Sequence, residues 1–333
     1  MKALILRRPH AIDANPLELS ETTLPVPGPN DIRMRVFVCG VCHTDLHIAE
    51  GELPPKKANL IPGHQIVGEV ESVGKDVTRF AIGDRIGVTW LYSSCGRCDF
   101  CLSGRENLCA AARFTGYHHD GGYAEYAVVP ADFVHPLPVG FTDLQAAPLL
   151  CAGVIGYRSL RLCQIQPGQR LGLYGFGASA HVAIQVARHW GCEIYVYTRS
   201  PKHRQHALEL GALWTGQATD TPPNKMDGSI IFAPAGELVS QALLHLQKGG
   251  TLAINAVHMS PIPEFSYERI YLERGLRSVA NCTRRDAAEL IELAVEIPIH
   301  TDVESYALED ANQVLQRLKR SEIRGAAVLR ISQ

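Results

Sequence analysis

Residues 151–281 contain short apolar segments that alternate with longer segments of helical pattern, and this alternation restricts the fold more than any other feature. The segments RLGLYGF, EIYVYT, DGSIIFAP and TLAINAV have the β-branched and aromatic content of buried strands. Between them lie SAHVAIQVARHWG, PKHRQHALELGA and ELVSQALLHLQKGG, which have the length and spacing of helices. Strands that alternate with helices form a parallel sheet covered by helices, so we predict an α/β domain with a doubly wound parallel sheet.

A glycine-containing turn joins the first of these strands to the first helix. It consists of Gly175, Phe176, Gly177, Ala178, Ser179 and Ala180. The first glycine permits a tight turn, and the second lets a pyrophosphate approach the helix N-terminus, whose free N–H groups favour anions. Such a pattern alone also fits a turn without a ligand. The βαβ repeats that follow this turn in the sequence favour a Rossmann dinucleotide-binding domain.

The end of the second strand indicates which dinucleotide is bound. NAD-binding domains carry an acidic residue here that binds the ribose 2′-hydroxyl. This chain has Thr198, Arg199 and Ser200 instead. The segment has no carboxylate that would repel the 2′-phosphate of NADP, and Arg199 could bind this phosphate. Arg199 could equally be a solvated surface side chain. The cofactor is therefore predicted to be NAD or NADP, with a slight preference for NADP.

The first 150 residues have a different pattern. Short alternating segments such as IRMRVFV and QIVGEVESVG are separated by turn dipeptides, which predicts antiparallel strands. After residue 282 a helix, DAAELIELAVEI, precedes a second helix and a closing strand. We expect this tail to return to the first domain. The domains would then be 1–150 with 282–333, and 151–281.

Charge and hydropathy exclude several classes of partner. The formal net charge of −2 and the absence of long runs of like charge argue against nucleic acid. No apolar run reaches the length of a membrane span, and the N-terminal segment is too short for a secretory signal. We expect a cytoplasmic protein without membrane association. Its ten cysteines then indicate metal ligation rather than disulfides.

Four of the cysteines lie close together in the sequence. Cys95, Cys98, Cys101 and Cys109 follow the spacing C-x2-C-x2-C-x7-C. Four thiolates can enclose Zn²⁺ in a tetrahedron with no open position, which is typical of structural zinc. An iron–sulfur cluster is the alternative, but the Cys-Pro ending of a ferredoxin segment is missing. We predict a structural-zinc lobe over residues 92–112.

A catalytic zinc would need three ligands from elsewhere and one open position. Cys42 in GVCHTD, His64 in PGHQ and Cys151 in LLCAG are candidates. With these motifs the chain resembles the zinc-dependent alcohol dehydrogenases of the medium-chain dehydrogenase/reductase superfamily. The resemblance covers essentially the whole chain, through CGVCHTDLH, GHQIVGEVESVG, GDRIGV, AAPLLCAG and GFGASA. It implies a GroES-like, mostly antiparallel β catalytic domain beside the Rossmann domain.

The resemblance assigns the catalytic zinc ligands to Cys42, His64 and Cys151. It places Asp45 as the carboxylate that hydrogen-bonds His64 and fixes its tautomer. Many members have an acidic residue after this histidine, where this chain has Gln65. The neutral side chain removes a negative charge near the metal. Cys39 matches no ligand and is expected to be a buried strand cysteine.

The resemblance also assigns a proton relay. Thr44 corresponds to the hydroxyl residue that hydrogen-bonds the alcohol and accepts its proton. His47 corresponds to the outer end, which passes the proton to solvent through the cofactor ribose. His43 lies where the family places a basic group on the cofactor pyrophosphate. Arg324, near the end of the chain, loosely matches a residue that reaches the cofactor phosphate.

Two apolar residues match positions of the family's substrate pocket. Trp90 would narrow the pocket near zinc and disfavour secondary alcohols, and Leu53 would leave room farther out. We therefore predict primary alcohols and aldehydes as substrates, with aromatic or medium-chain ones preferred to ethanol. Core packing of both residues is the alternative explanation.

The resemblance implies reversible oxidation of alcohols by hydride transfer to NAD(P), with two Zn²⁺ per chain, and a homodimer or homotetramer. The alternatives are a cinnamyl-alcohol-type NADPH-dependent aldehyde reductase and a non-catalytic zinc- or NADPH-binding homologue. A zinc-free quinone reductase would lack both the ligands and the cysteine lobe.

Overall fold

The computed structural model describes residues 1–332. The strands are β1 (Lys2–Leu6), β2 (Leu17–Glu21), β3 (Asp31–Val41), β4 (Gln65–Val73), β5 (Arg85–Val88), β6 (Leu91–Ser93), β7 (Arg113–Phe114), β8 (Tyr126–Pro130), β9 (Val134–Pro136), β10 (Arg170–Tyr174), β11 (Glu193–Tyr197), β12 (Trp214–Gly216), β13 (Met226–Ile231), β14 (Leu246–Ile254), β15 (Gly275–Ser278), β16 (Val303–Ala307) and β17 (Ala326–Arg330). The helices are α1 (His43–Glu50), α2 (Asp99–Leu102), α3 (Asp143–Ala146), α4 (Ala152–Cys163), α5 (Ala178–His189), α6 (Pro201–Glu209), α7 (Leu238–His245), α8 (Arg284–Glu296) and α9 (Ala311–Lys319).

The chain divides into two compact units. The first contains Met1–Cys151, Asn281–Val295 and the chain from His300 onward. The second contains Ala152–Ala280 and the short segment Glu296–Ile299. Cys151 therefore belongs to the first unit, where it ends the continuous amino-terminal part.

The second unit is built on a six-stranded sheet in the order β12-β11-β10-β13-β14-β15, in which every neighbouring pair is parallel. This arrangement confirms the predicted α/β fold with a doubly wound parallel sheet. Its central strands β10 and β13 are buried along most of their length, in agreement with their apolar runs. Tyr174 and Tyr197 are the last residues of β10 and β11, and their rings stack with the centroids 4.1 Å apart.

One helix of this unit is shorter than its sequence pattern predicts. The segment ELVSQALLHLQKGG was predicted to be helical throughout, but α7 ends at His245 and β14 begins at Leu246. The prediction for its last five residues is wrong. Leu246 already pairs with Met226 of β13, and Gly249 has a φ of +72°, which a regular helix does not contain. Pairing with the sheet thus overrides the local helical pattern.

The first unit is built on a seven-stranded, mostly antiparallel sheet. Its strand order is β16-β17-β3-β4-β5-β9, with β8 also paired to β3. The predicted strands IRMRVFV and QIVGEVESVG lie in β3 and β4, which pair antiparallel. The carboxyl-terminal strand β17 pairs with β3 from Ala327↔Val41 to Arg330↔Val38, so the tail contributes to the same sheet. The mostly antiparallel sheet of the predicted catalytic domain is confirmed.

Within residues 1–332, no helix has both the length and the apolar character needed to cross a bilayer.

Candidate functional site

Cys42, the first residue of the candidate site, follows directly after β3. Cys42 is the N-cap of α1, and its sulfur accepts a hydrogen bond from the Thr44 N–H at 3.4 Å. Asp45 completes the capping box, because its Oδ2 accepts the Cys42 N–H at 2.9 Å. The capping interactions satisfy N–H groups that a helix start leaves unpaired, and they hold the thiol and the carboxylate in fixed positions.

His64 lies directly before β4 and is buried, as is Asp45. Its Nδ1 is 3.2 Å from Asp45 Oδ1, and its Nε2 is 3.4 Å from Cys42 Sγ. Burial opposes the charged imidazole, but the Asp45 carboxylate and the Cys42 sulfur raise the pKa of His64 to about 10. The carboxylate therefore lies on the Nδ1 side of the ring, and the sulfur lies on the Nε2 side.

Cys151 brings the third donor from a distant part of the chain. One ligand atom each from Cys42, His64 and Cys151 lies within 4.8 Å of the others. The neighbouring Cys151 thiol lowers the pKa of Cys42 well below its usual value, and the imidazole of His64 acts in the same direction. Two sulfurs and one nitrogen are a donor set that suits Zn²⁺, and three protein ligands leave one position open. The predicted ligands are thus brought together.

The predicted relay residues lie along α1. Thr44 is buried and sits two residues after Cys42, whereas His47 lies one turn farther along the helix. The imidazole of His47 contacts the Glu52 carboxylate, with Nδ1 2.5 Å from Oε2. His43, at the first position of α1, has its ring 6.3 Å from that of His47. The helix therefore places a buried hydroxyl and a more exposed imidazole in sequence.

Glu52 is a candidate functional residue that the sequence analysis missed. It is brought to His47 by Gly51, which ends α1 with a φ of +83° and turns the chain back. The Glu52 side chain is 47% exposed, so the pair reaches solvent. The sequence signal for this pair is weak. It consists of Gly51 four residues after His47, followed directly by the acidic residue Glu52.

The predicted pocket residues are Trp90 and Leu53, and each lies near a predicted site residue. The Trp90 ring is 6.1 Å from the His64 ring and stacks on Phe114 at 4.6 Å. Leu53 packs against the core of the unit, and its N–H donates to the His47 carbonyl at 3.0 Å. Trp90 thus lies beside a predicted metal ligand, and Leu53 lies beside a predicted relay residue.

Cys39 and Gln65 are two further buried residues near the site. Cys39 is buried in β3, and its thiol donates to the Gly40 carbonyl at 3.6 Å. Gln65 is buried at the first position of β4, and a Cβ at Gly40 would lie 2.9 Å from its Cδ. The amide of Gln65 therefore packs on the glycine of the neighbouring strand.

The four cysteines of the predicted lobe form a second cluster. The residues are Cys95, Cys98, Cys101 and Cys109, and their sulfur atoms all lie within 4.8 Å of one another. Cys98 Sγ is 3.6 Å from Cys101 Sγ, and the backbone N–H of Arg97 is the main cause that lowers the pKa of Cys95 to about 6. Four thiol donors and no open position suit structural zinc.

The dinucleotide motif of the second unit has the geometry that its sequence predicts. Gly175 follows β10 with a φ of +90°, and Gly177 is the N-cap of α5, which begins at Ala178. A Cβ at Gly177 would meet no described atom within 4 Å. This open space in front of a helix N-terminus, next to Ser179 and Ala180, can admit a pyrophosphate.

The end of β11 carries the residues predicted to bind the ribose. The Thr198 carbonyl accepts a hydrogen bond from Arg204 Nε at 2.9 Å, and the Ser200 hydroxyl caps α6 through the His203 N–H. Arg199 is exposed between them. No acidic side chain occupies residues 198–200, and the Arg199 guanidinium is accessible to an anion. Arg324, in the first unit, lies with its Nε 3.5 Å from Asp302 Oδ2.

Comparison with known proteins identifies the family. Residues 28–139 match the family model described as "Alcohol dehydrogenase GroES-like domain", and residues 180–296 match "Zinc-binding dehydrogenase". A probable alcohol dehydrogenase AdhA of Mycobacterium tuberculosis is 47% identical over 337 residues, which cover 99% of this chain and 97% of that protein. The chain belongs to the zinc-type alcohol dehydrogenase family of the medium-chain dehydrogenase/reductase superfamily.

Further similar proteins match nearly the whole chain. An alcohol dehydrogenase of Geobacillus stearothermophilus is 35% identical over 95% of this chain and 96% of its own length. A cinnamyl alcohol dehydrogenase structure from Sorghum bicolor superposes with a TM-score of 0.91 at 28% identity, covering 99% and 97% of the two chains. The structure of CAD from Helicobacter pylori complexed with NADP(H) gives 0.88 at 25% identity, covering 99% and 97%. As a family member, the chain is an oxidoreductase of the alcohol dehydrogenase type.

Proposed function

We propose that the protein is a zinc-dependent alcohol dehydrogenase that reversibly oxidises primary alcohols to aldehydes with NAD(P). The observation that carries the proposal is the convergence of Cys42, His64 and Cys151 within 4.8 Å, beside a buried hydroxyl on α1. When bound, the two cofactors supply Lewis acidity toward the alcohol oxygen and a hydride acceptor. A second zinc in the four-cysteine lobe has a structural role.

The residues of the chain hold the metal and move the proton. Asp45 keeps the Nδ1 proton on His64, so that Nε2 is available as a ligand. The Thr44 hydroxyl accepts the alcohol proton and passes it on. The His47 imidazole receives it and delivers it to solvent, while Glu52 fixes the orientation of the ring.

The pocket residues support a preference for primary alcohols. Trp90 is held against His64 by its stacking on Phe114, so its ring restricts the space next to the metal ligands. A branched substituent on the carbinol carbon would collide with this ring. Leu53 is smaller than an aromatic residue and leaves space for aromatic or medium-chain substituents.

A cinnamyl-alcohol-type aldehyde reductase that uses NADPH is the second candidate. The similarity to the Sorghum bicolor structure favours it, as does the exposed Arg199 at the end of β11, where no carboxylate opposes a 2′-phosphate.

The protein would act as a homodimer or homotetramer. The exposed edge strand β15, with Leu276 43% exposed, supports association between copies of the dinucleotide-binding unit.

The test is the initial rate of reduced-nicotinamide formation from benzyl alcohol, with NAD and NADP in parallel. The proposal predicts a rate with at least one cofactor, higher for benzyl alcohol than for ethanol. The ratio between the cofactors decides between the two candidates, together with the rate of cinnamaldehyde reduction by NADPH. No rate with zinc-loaded protein on benzyl, hexyl and cinnamyl alcohols would favour a non-catalytic zinc- or NADPH-binding protein instead.

A further inference from the structure

Residues 61–64 carry the predicted ligand His64, and a distant segment, residues 120–123, holds them through backbone hydrogen bonds. The N–H groups of residues 121–123 donate to the carbonyls of Ile61, Gly63 and Pro62 at 2.7, 2.9 and 3.0 Å. The two segments approach closely, because a Cβ added at Gly121 would lie 1.9 Å from the Gly63 carbonyl oxygen. Only a residue without a side chain fits at this position. The segment that carries His64 is therefore fixed against residues 120–123.

Asp120, the first residue of the holding segment, also binds residue 61 through its side chain. Its Oδ1 accepts the Ile61 N–H at 3.1 Å, and the N–H of the next residue, Gly121, donates to the Ile61 carbonyl. Two consecutive residues thus bind both polar backbone groups of Ile61. Because Ile61 is 5% exposed, an N–H that lost this acceptor would be left unpaired in a buried position.

Lys57 is the exposed partner of the Asp120 carboxylate. Its Nζ lies 2.8 Å from Oδ1 and 3.0 Å from Oδ2 of Asp120, and it also donates to the Asn59 carbonyl at 3.4 Å. Asn59 has a φ of +51°, so the chain turns between Lys57 and Ile61. The side chains of Lys57 and Asp120 are 40% and 42% exposed, so their ion pair contributes little by itself. The hydrogen bond to Ile61 is the more buried interaction of Asp120.

We propose that Asp120 is a positioning residue for His64, and that it acts by accepting the Ile61 N–H. Two residues separate Ile61 from His64, and the first of them, Pro62, has a fixed φ, so a displacement of Ile61 shifts the imidazole. A shifted imidazole binds a metal less well, because coordination requires the nitrogen at a defined distance and direction. The role rests on the proposed three-ligand zinc site.

The test is the rate at which zinc passes from the intact protein to the chelating dye 4-(2-pyridylazo)resorcinol. Asp120→Ala removes the acceptor of the Ile61 N–H. Release from the three-ligand site should accelerate roughly tenfold, which is the size of effect expected when one buried N–H loses its partner. Zinc in the four-cysteine lobe is the internal reference and should leave at the wild-type rate. The Cys151→Ser variant, which lacks the first phase, assigns the two phases.

Two matched variants separate the hydrogen bond from the ion pair. Asp120→Asn keeps an oxygen acceptor for the Ile61 N–H and loses the charge. Lys57→Met removes the ion pair and keeps a long side chain. Both variants should release zinc within about twofold of the wild-type rate, because an exposed ion pair contributes little. Thermal unfolding of each variant shows that the fold is kept.

Amide hydrogen exchange examines the same hydrogen bond without any measurement of activity. In the wild-type protein the Ile61 amide should exchange at least about tenfold more slowly than in an unstructured peptide. Asp120→Ala should lose this protection, and Asp120→Asn should keep it. The wild-type measurement needs no substitution, so it tests the hydrogen bond even where Asp120→Ala does not fold.

Three results would overturn the positioning role. The first is release from the three-ligand site of Asp120→Ala at the wild-type rate. The second is equal acceleration in Asp120→Ala and Asp120→Asn, which would show that the charge acts and not the acceptor. The third is an unprotected Ile61 amide in the wild-type protein. Wild-type protein that lacks the phase assigned by Cys151→Ser would instead contradict the proposed function, and the positioning role with it.

Discussion

The Nδ1 of His47 lies 2.5 Å from Oε2 of Glu52, at the outer end of the helix that begins at Cys42. The imidazole is thereby oriented by a carboxylate that solvent reaches, while the inner end of the same helix provides the buried Thr44 hydroxyl. The proposed path of the proton, from the alcohol to the surface, would therefore run along two turns of one helix.

Replacing Glu52 with glutamine tests this orientation. The neutral amide no longer fixes the Nδ1 proton of His47, so kcat for benzyl alcohol should fall roughly tenfold, a part of the 10²–10⁴-fold that acid–base groups contribute. KM should change little, because Glu52 is not one of the proposed substrate-pocket residues. Glu18→Gln, which removes an exposed partner of Arg7, is the control and should leave both constants unchanged. An unaltered kcat in Glu52→Gln would contradict the role of the pair.

Cys151→Ser tests the metal ligands. A hydroxyl is a much weaker zinc ligand than a thiolate, so the variant should contain one zinc per chain instead of two and lose nearly all activity. Elemental analysis measures the zinc, and circular dichroism shows that the fold remains. Cys192→Ser changes a buried cysteine of the second unit and should keep both ions. Two zinc ions in Cys151→Ser would show that the ligand assignment is wrong.

Trp90→Ala tests the pocket. Removing the ring beside His64 opens space for a branched carbinol carbon. The ratio of kcat/KM for 2-butanol to that for 1-butanol should rise roughly tenfold or more, the size of effect that pocket filling has in enzymes. If the ratio stays at its wild-type value, Trp90 serves core packing alone.

Arg199→Ala tests the cofactor assignment. A charged hydrogen bond contributes about 1.5–3 kcal/mol, so kcat/KM for NADP should fall roughly 10- to 100-fold if the guanidinium binds the 2′-phosphate. The value for NAD should be unchanged. Arg8→Ala, another exposed arginine, should affect neither cofactor. Equal losses with both cofactors, or no loss, would exclude a 2′-phosphate contact.

His135 should make stability depend on pH. Burial lowers the pKa of this side chain to about 4, with Arg79 and Arg284 acting in the same direction. The unfolded chain binds the proton near pH 6.5 and the folded chain only near 4, so stability is lost as the pH falls between these values. His135→Phe should remove roughly 2 to 3 kcal/mol of the difference between pH 7 and 4.5. Calorimetric unfolding at both pH values measures this difference. Wild-type pH dependence in the variant would contradict it.

The two-domain fold was predictable because its patterns are local. The parallel sheet follows from apolar runs such as EIYVYT, and the turn at Gly175 follows from a glycine that must have a positive φ. The boundary at Leu246 was not predictable, since Met226 pairs with it from a distant strand. Helical spacing in the segment ELVSQALLHLQKGG cannot show that its last residues join a sheet.

The candidate site was predictable to the extent that motifs carry it. Cys42, Thr44 and Asp45 lie in one helical turn, so their sequence order already implies proximity. Glu52 was missed because its position beside His47 depends on the turn that Gly51 makes, and no motif encodes that turn.

The most direct measurement follows activity and zinc content together while a chelator strips the wild-type protein. We predict that benzyl alcohol oxidation disappears in proportion to the loss of one zinc equivalent, from Cys42, His64 and Cys151, and returns when Zn²⁺ is added back. The second equivalent, in the four-cysteine lobe, should remain while activity is already gone. Oxidation that continues after the zinc of the three-ligand site has been removed would contradict a catalytic role for this zinc.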